Sequence, residues 1–152
     1  LGGYVVLPED GPLPIADRSF TAVWCNSVIE HVTLRRDELS AATNAMFYRR
    51  ADEHQRAFAR EIARVADRYM VQTPYVHFPI ESHSWLPGIQ YVGHAARVRI
   101  ARRVNPLWLK RWCADFHLYS LSRFRNHFPD ATEFRMERVL GVPKSLIALR
   151  KA

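Results

Sequence analysis

The stretch from Leu13 to Val32 constrains this chain most. Leu13-Pro14-Ile15-Ala16-Asp17-Arg18-Ser19-Phe20 reads as a loop with turn-forming residues, and Ala22-Val23-Trp24-Cys25 as a short buried strand. The strand stops at a small polar pair, Asn26-Ser27. The spacing from Ser27 to Thr33 then predicts the start of a helix carrying Glu30 and His31. A strand that ends in a polar turn before a helix belongs to an α/β layer. In open α/β sheets ligands bind where loops leave the carboxyl ends of the strands, so the same residues predict both a fold and a site.

The rest of the pattern agrees with a layered α/β chain. Tyr4 to Leu7 predicts a short buried strand, closed by the turn formers Pro8-Glu9-Asp10-Gly11-Pro12. A long polar helical stretch follows Thr33, in which Phe58, Ile62 and Val65 recur at helical spacing with Arg60 and Arg64 turned outward. Tyr69 to Thr73 predicts a third strand, halted by Pro74. This order implies parallel strands joined by helical crossovers. Downstream, Pro74, Pro79 and Pro87 punctuate an aromatic loop with Tyr75, His77, Phe78, His83 and Trp85, and a basic helical region runs to about Arg103. Asn105-Pro106 predicts a helix start, with Trp108, Trp112 and Phe116 on one face. A short helix from Ser120 ends at Phe128-Pro129. Phe134–Leu140 and Ser145–Arg150 then form an antiparallel hairpin about a turn at Gly141–Lys144. No linker marks a second domain, so residues 86–127 are expected to be a helical insertion or cap within one domain spanning residues 1–152.

Charge narrows the partners. The net charge is +7, and no acidic residue occurs from Ser82 to Ala114, where Arg97, Arg99, Arg102, Arg103, Lys110 and Arg111 cluster beside Trp108 and Trp112. Such a surface suits phosphate, as anionic lipid headgroups or as nucleic acid. The plainer alternative is a solvated helical face whose long side chains cover apolar neighbours. No apolar run approaches the roughly 20 residues of a membrane span, and the first residues lack the basic region and apolar core of a secretory signal. The two cysteines, Cys25 and Cys113, match no metal or disulfide spacing and are expected to be reduced and buried. These features set the expectation of a cytoplasmic protein, with peripheral contact to an anionic membrane.

Several segments together carry a family resemblance. They are the acidic turn Glu9-Asp10, Leu13-Pro14-Ile15 with Asp17 and Ser19-Phe20, and Glu30-His31-Val32. Glu61-Ile62-Ala63-Arg64-Val65 follows, then Thr73-Pro74, Phe78-Pro79-Ile80-Glu81 and His83. The last are Phe128-Pro129-Asp130-Ala131, Glu137-Arg138, Gly141 and Lys144-Ser145-Leu146-Ile147-Ala148. In this order they resemble the latter two-thirds of small-molecule, class I S-adenosylmethionine (SAM)-dependent methyltransferases, across nearly the whole chain. The resemblance implies a Rossmann-like α/β sheet, partial, with the third to seventh strands, a helical insertion and a closing antiparallel hairpin. The family's glycine-rich loop and its ribose-binding acidic residue find no counterpart. Gly2-Gly3 follows only Leu1, whereas a nucleotide-binding glycine turn needs a strand before it. The expectation is a chain lacking roughly the first third of a catalytic domain, binding SAM poorly by itself and prone to self-association through the truncated sheet edge.

The resemblance also assigns roles. Glu9 and Asp10 fall where the family contacts adenine, although Asp-Gly is also a common turn dipeptide. Asn26, Ser27 and Val28 fall beside the cofactor's methyl, while Asn or Ser there also serves as a strand end and helix cap. His31 and His83 are the candidate catalytic residues. A base is needed only for an acidic acceptor such as a hydroxyl, and His suits that near neutral pH. Tyr75, Glu81 and Trp85 fall on the substrate side. The spacing of His77, His94 and His117 suggests no metal, and direct methyl transfer requires none. Thr21, Tyr75 and Ser82 depart from the family's usual residues, the last two on the variable substrate side. Asn26-Ser27-Val28-Ile29 also differs from the Asn-Pro-Pro-aromatic of enzymes that methylate planar amines. The implied activity is therefore O- or C-methylation of a small-molecule or lipid-linked acceptor, with nucleic acid disfavoured. The rival is a non-catalytic basic module that binds anionic lipid or nucleic acid.

Overall fold

The computed structural model describes residues 11–151. The strand expected at Tyr4–Leu7 and the adenine-side pair Glu9 and Asp10 lie outside the described residues. What is described is an α/β layer, with a four-stranded mixed sheet and three α-helices.

The first strand, β1 (Phe20–Asn26), runs parallel to β2 (Ala66–Pro74), with Phe20 opposite Ala66 and Asn26 opposite Gln72. The crossover between them contains α1 (Asn44–Val65). Thr43 caps this helix by accepting a hydrogen bond from the Met46 amide at 3.2 Å. Phe47, Ala51, Gln55, Ala59 and Ile62 bury one stripe of it, at spacings of three and four. Arg64 does not simply face solvent. It donates to the Leu13 and Ile15 carbonyls and pairs with Asp17 and Glu61, which ties the loop before β1 to the end of α1.

The closing hairpin is β3 (Glu133–Val139) and β4 (Val142–Arg150). Its second strand inserts antiparallel beside β2, giving the order β1-β2-β4-β3. The turn is tighter than expected, Leu140-Gly141, with φ of 49° and 81°. Two central residues at positive φ match the right-handed twist of the flanking strands.

On one face of the sheet, α1 and α3 (Leu121–His127) pack around Ile62, Tyr69, Val71, Phe124, Phe128 and Leu146. Helix α3 starts where the sequence places it, and Ser120 caps it by accepting from the Arg123 amide at 3.3 Å. Cys25 lies in this core, and Cys113 is half-buried. A second apolar cluster joins α2 (His94–Val104) to Trp112, Phe116 and Leu118, and a third surrounds Phe47.

Two expected helices are absent. Residues 29–31 form only a short 3-10 turn, and the chain from Pro106 to Tyr119 is irregular. Asn105, read as the cap of a new helix, ends α2. Its side chain instead donates to the Trp112 carbonyl at 2.7 Å and accepts from the Trp112 amide at 3.2 Å, closing a loop. Within residues 86–127 lie α2 and α3, with irregular chain between them.

Candidate functional site

The site forms at the carboxyl ends of the two parallel strands. After Asn26, the Ser27 amide still donates to the Gln72 carbonyl at 3.0 Å, and Ser27 then turns the chain with φ of 52°. The segment that follows is pinned from two sides. Gln55 of α1 donates through its amide nitrogen to the Ile29 and His117 carbonyls, both at 2.9 Å. The His117 amide donates to the Glu30 carbonyl at 2.8 Å, and the Thr33 hydroxyl donates to the Asp115 carbonyl at 2.7 Å. Glu30 is thereby fully buried, and its Oε2 accepts from the Thr73 hydroxyl at 2.9 Å, at the end of β2. The neighbouring Cys25 thiol is pushed up to about 11 by burial and then by the Glu30 charge, so it stays protonated and is no nucleophile.

The aromatic loop supplies the opposing wall. Glu81 is buried and gathers its own loop, accepting from the His83 amide at 2.7 Å and the Ser84 amide at 2.6 Å. Its Oε1 also meets His83 Nδ1 at 2.5 Å. The loop is held from outside by Trp108 Nε1, which donates to the Ser84 carbonyl, and Lys110 Nζ, which donates to the Ser82 carbonyl, both at 2.8 Å. The His83 ring stacks on Phe116 and points Nε2 at Glu30 Oε1, 3.6 Å away. His31 meets the His83 ring edge-on at 4.5 Å, and its Nδ1 lies 3.4 Å from Asp115 Oδ1.

These contacts set the protonation of the pair. Burial by itself would lower the His83 pKa, but the Glu81 hydrogen bond and the charges of Glu81 and Glu30 raise it to about 9. Burial likewise works to raise Glu81, and the His83 and Ser84 contacts outweigh it, leaving its carboxyl below the usual range. At neutral pH His83 therefore carries its proton, which suits it to donate a hydrogen bond rather than to act as a ready base.

Asn26, Ser27, Tyr75 and Glu81 line a cavity of about 270 Å³ that Glu137 and Lys144 also border. The structure thus brings together four residues that the sequence assigned separately, and sets His31 and His83 beside Glu30. Val28 is exposed and does not line this cavity, and Trp85 is 57% exposed with Lys110 Nζ 5.0 Å from its ring. A larger cavity of about 590 Å³ lies elsewhere, between α2 and the loop that Asn105 closes.

Sequence reasoning missed Gln55 and Asp115, and named Thr73 only as a strand end within a motif. A polar residue in the otherwise apolar stripe of α1 was a readable signal for Gln55; Asp115 had none. Arg97 needs a correction. It does not belong to a basic face but is buried, donating to the Phe116 carbonyl at 3.0 Å with its guanidinium 4.7 Å from the Phe116 ring. The spacing of His77, His94 and His117 suggests no metal; in a different set, Glu30, His31 and His83, each residue presents a ligand-type atom within 4.8 Å of the others.

Among the described residues no helix is long and apolar enough to cross a membrane. No family model matches the chain, and no curated protein matches it. Among solved structures it is similar to a possible exported protein from Bordetella parapertussis, with 14% identity and a TM-score of 0.38. That likeness covers 91% of this chain and 42% of the other, and it is too loose to carry an argument about fold or activity.

Proposed function

We propose that this chain forms part of a SAM-dependent methyltransferase acting on oxygen or carbon of a small-molecule or lipid-linked acceptor. One observation carries the proposal. The Asn26-to-His31 turn and the Glu81–His83 segment, which the sequence resemblance marked independently, meet at the carboxyl ends of adjacent parallel strands. The crossover through α1 and the inserted antiparallel hairpin support the same reading.

The cavity beside Ser27 is smaller than the roughly 300–1,000 Å³ of ligand pockets, so the described residues form one wall for a nucleoside-sized cofactor rather than the whole enclosure. On that wall Asn26 and Ser27 offer polar atoms to the amino-acid end of SAM. Bound SAM would supply an electrophilic methyl, and its transfer is an in-line displacement favoured by alignment and exclusion of water. His31, oriented by Asp115, accepts the acceptor's proton; His83 donates a hydrogen bond to the acceptor and keeps its own proton.

The test is transfer of a labelled methyl group from SAM by the protein expressed from its full reading frame. His31→Gln is expected to lower kcat by roughly 10²–10⁴-fold, and Ser27→Val to raise KM for SAM. Absence of SAM binding by calorimetry would overturn the proposal.

A second reading, docking on anionic lipid without catalysis, draws on a separate observation. Arg99, Arg102 and Arg103 are exposed on and near the end of α2, next to Leu107 and Leu109 at 91% and 96% exposure. Binding to phosphatidylserine vesicles that collapses with added salt, in a protein that ignores SAM, would favour it.

A further inference from the structure

We propose that Glu30, His31 and His83 bind a divalent transition-metal ion of the zinc type. The site would exist whether or not the reaction is methyl transfer. A bound ion would displace the His83 proton and take the nitrogens that the proposed function gives to proton transfer, and would activate the acceptor oxygen in their place. Two imidazoles and one carboxylate make a three-ligand set that leaves a coordination position open, as catalytic zinc sites do. One ligand-type atom from each residue already lies within 4.8 Å of the other two.

Two further observations point to a cation. Glu30 is fully buried, yet its Oε1 has no hydrogen-bond partner and faces His83 Nε2, while Oε2 is held by Thr73. The protonated His83 faces this oxygen from 3.6 Å, beyond hydrogen-bond reach, and an ion in place of that proton would satisfy the buried carboxylate directly. In addition, each histidine has a carboxylate at Nδ1: Glu81 at 2.5 Å for His83, and Asp115 at 3.4 Å for His31. Carboxylates placed there fix the tautomer and ring orientation of metal-bound imidazoles and leave Nε2 as the ligand.

The spacing is close to what a metal requires. With metal–nitrogen and metal–oxygen bonds of about 2.0–2.1 Å, tetrahedral ligand atoms sit roughly 3.3–3.5 Å apart. His83 Nε2 and Glu30 Oε1 are 3.6 Å apart and need almost no movement. His31 must close the remaining gap, and its side chain, 35% exposed, has room to turn. Nitrogen donors disfavour magnesium and calcium, which prefer all-oxygen shells. A metal here would polarise an oxygen bound at the open position, lowering the pKa of a hydroxyl or water there.

The probes are Zn²⁺ by calorimetry and Co²⁺ by its visible absorption, with the full chain. One equivalent is expected, with Co²⁺ bands of a low-coordinate site and no competition from excess Mg²⁺. Glu30→Gln and His31→Ala should each weaken Zn²⁺ binding by more than the roughly 10–100-fold that outer-shell partners are worth, and Asp115→Asn should fall within that range. His31 is the safer variant for folding, because it is partly exposed. His77→Ala should change nothing. No stoichiometric Zn²⁺ binding by the folded wild type, or binding that survives both Glu30→Gln and His31→Ala, would overturn the proposal.

Discussion

Gln55 shows how a single side chain positions a site it does not belong to. It occupies the stripe of α1 between Ala51 and Ala59, where any aliphatic residue would pack, yet it donates to two carbonyls from different segments. Replacing it with leucine keeps the bulk and removes one donor from each carbonyl, leaving Ile29 with the Val32 amide and His117 with the Arg123 guanidinium, both at 3.2 Å. Each of the two hydrogen bonds lost contributes about 0.5–1.5 kcal/mol net, so Gln55→Leu should destabilise by roughly 1–3 kcal/mol. Urea midpoints measure this, and a loss under about 0.5 kcal/mol would show that the clamp contributes little. Such a polar interruption of an apolar stripe is legible in the sequence. Arg97 is the opposite case. Its burial depends on Phe47, Tyr48 and Phe116, aromatics brought together from separate segments, and no local pattern announces that.

Elements were legible where local chemistry decided them. Both described parallel segments, the long helix and the closing hairpin follow from short apolar runs, helical spacing and turn residues. The helix expected from Ser27 failed because tertiary partners took its backbone. An α-helix needs the Ile29 and Glu30 carbonyls for amides four residues on, but Gln55 and the His117 amide occupy them instead. Competition of that kind is invisible to a window of neighbouring residues. The hairpin turn invites a direct test. Leu140 sits at φ of 49° while 99% exposed, so its side chain gains little packing and bears left-handed strain of about 1–2 kcal/mol. Leu140→Asn should raise stability by roughly 0.5–1 kcal/mol, read as a higher melting temperature. Gly141→Ala should lower it, because φ of 81° is strained for any side chain although the surrounding space is open.

At the scale of the molecule, histidines set the response to acid. Burial and the charges of Arg123, Arg97 and His127 push His117 down to about 2. His94 and His127 are also lowered, chiefly by burial, with Arg97 adding to the effect at His94 and Arg123 and Arg56 at His127. The unfolded chain binds protons at these three sites near pH 6.5 and the folded chain does not. The contribution of these three sites should therefore be intact above about 6.5 and be lost below it, by up to about 1.4 kcal/mol per pH unit for each site, whereas that of His83 is lost as pH rises from about 6.5 through about 9. His83, raised to about 9, is protonated in both states below about 6.5 and adds no slope there. Thermal melts between pH about 7 and 5 test this, and a flat profile would refute it; His127→Gln should soften the slope.

The clasp on the His83 loop has a practical consequence. Of its two outer fasteners, one is the Trp108 indole itself and the other, Lys110, also lies over the Trp85 ring. Any movement of residues 81–85 away from residues 108–110 removes the Trp108 hydrogen bond and the cation from Trp85 together. Both events alter the surroundings of a fluorophore, so opening of the site carries its own optical signal. The emission of the native protein, without any label, should report when a ligand arrives.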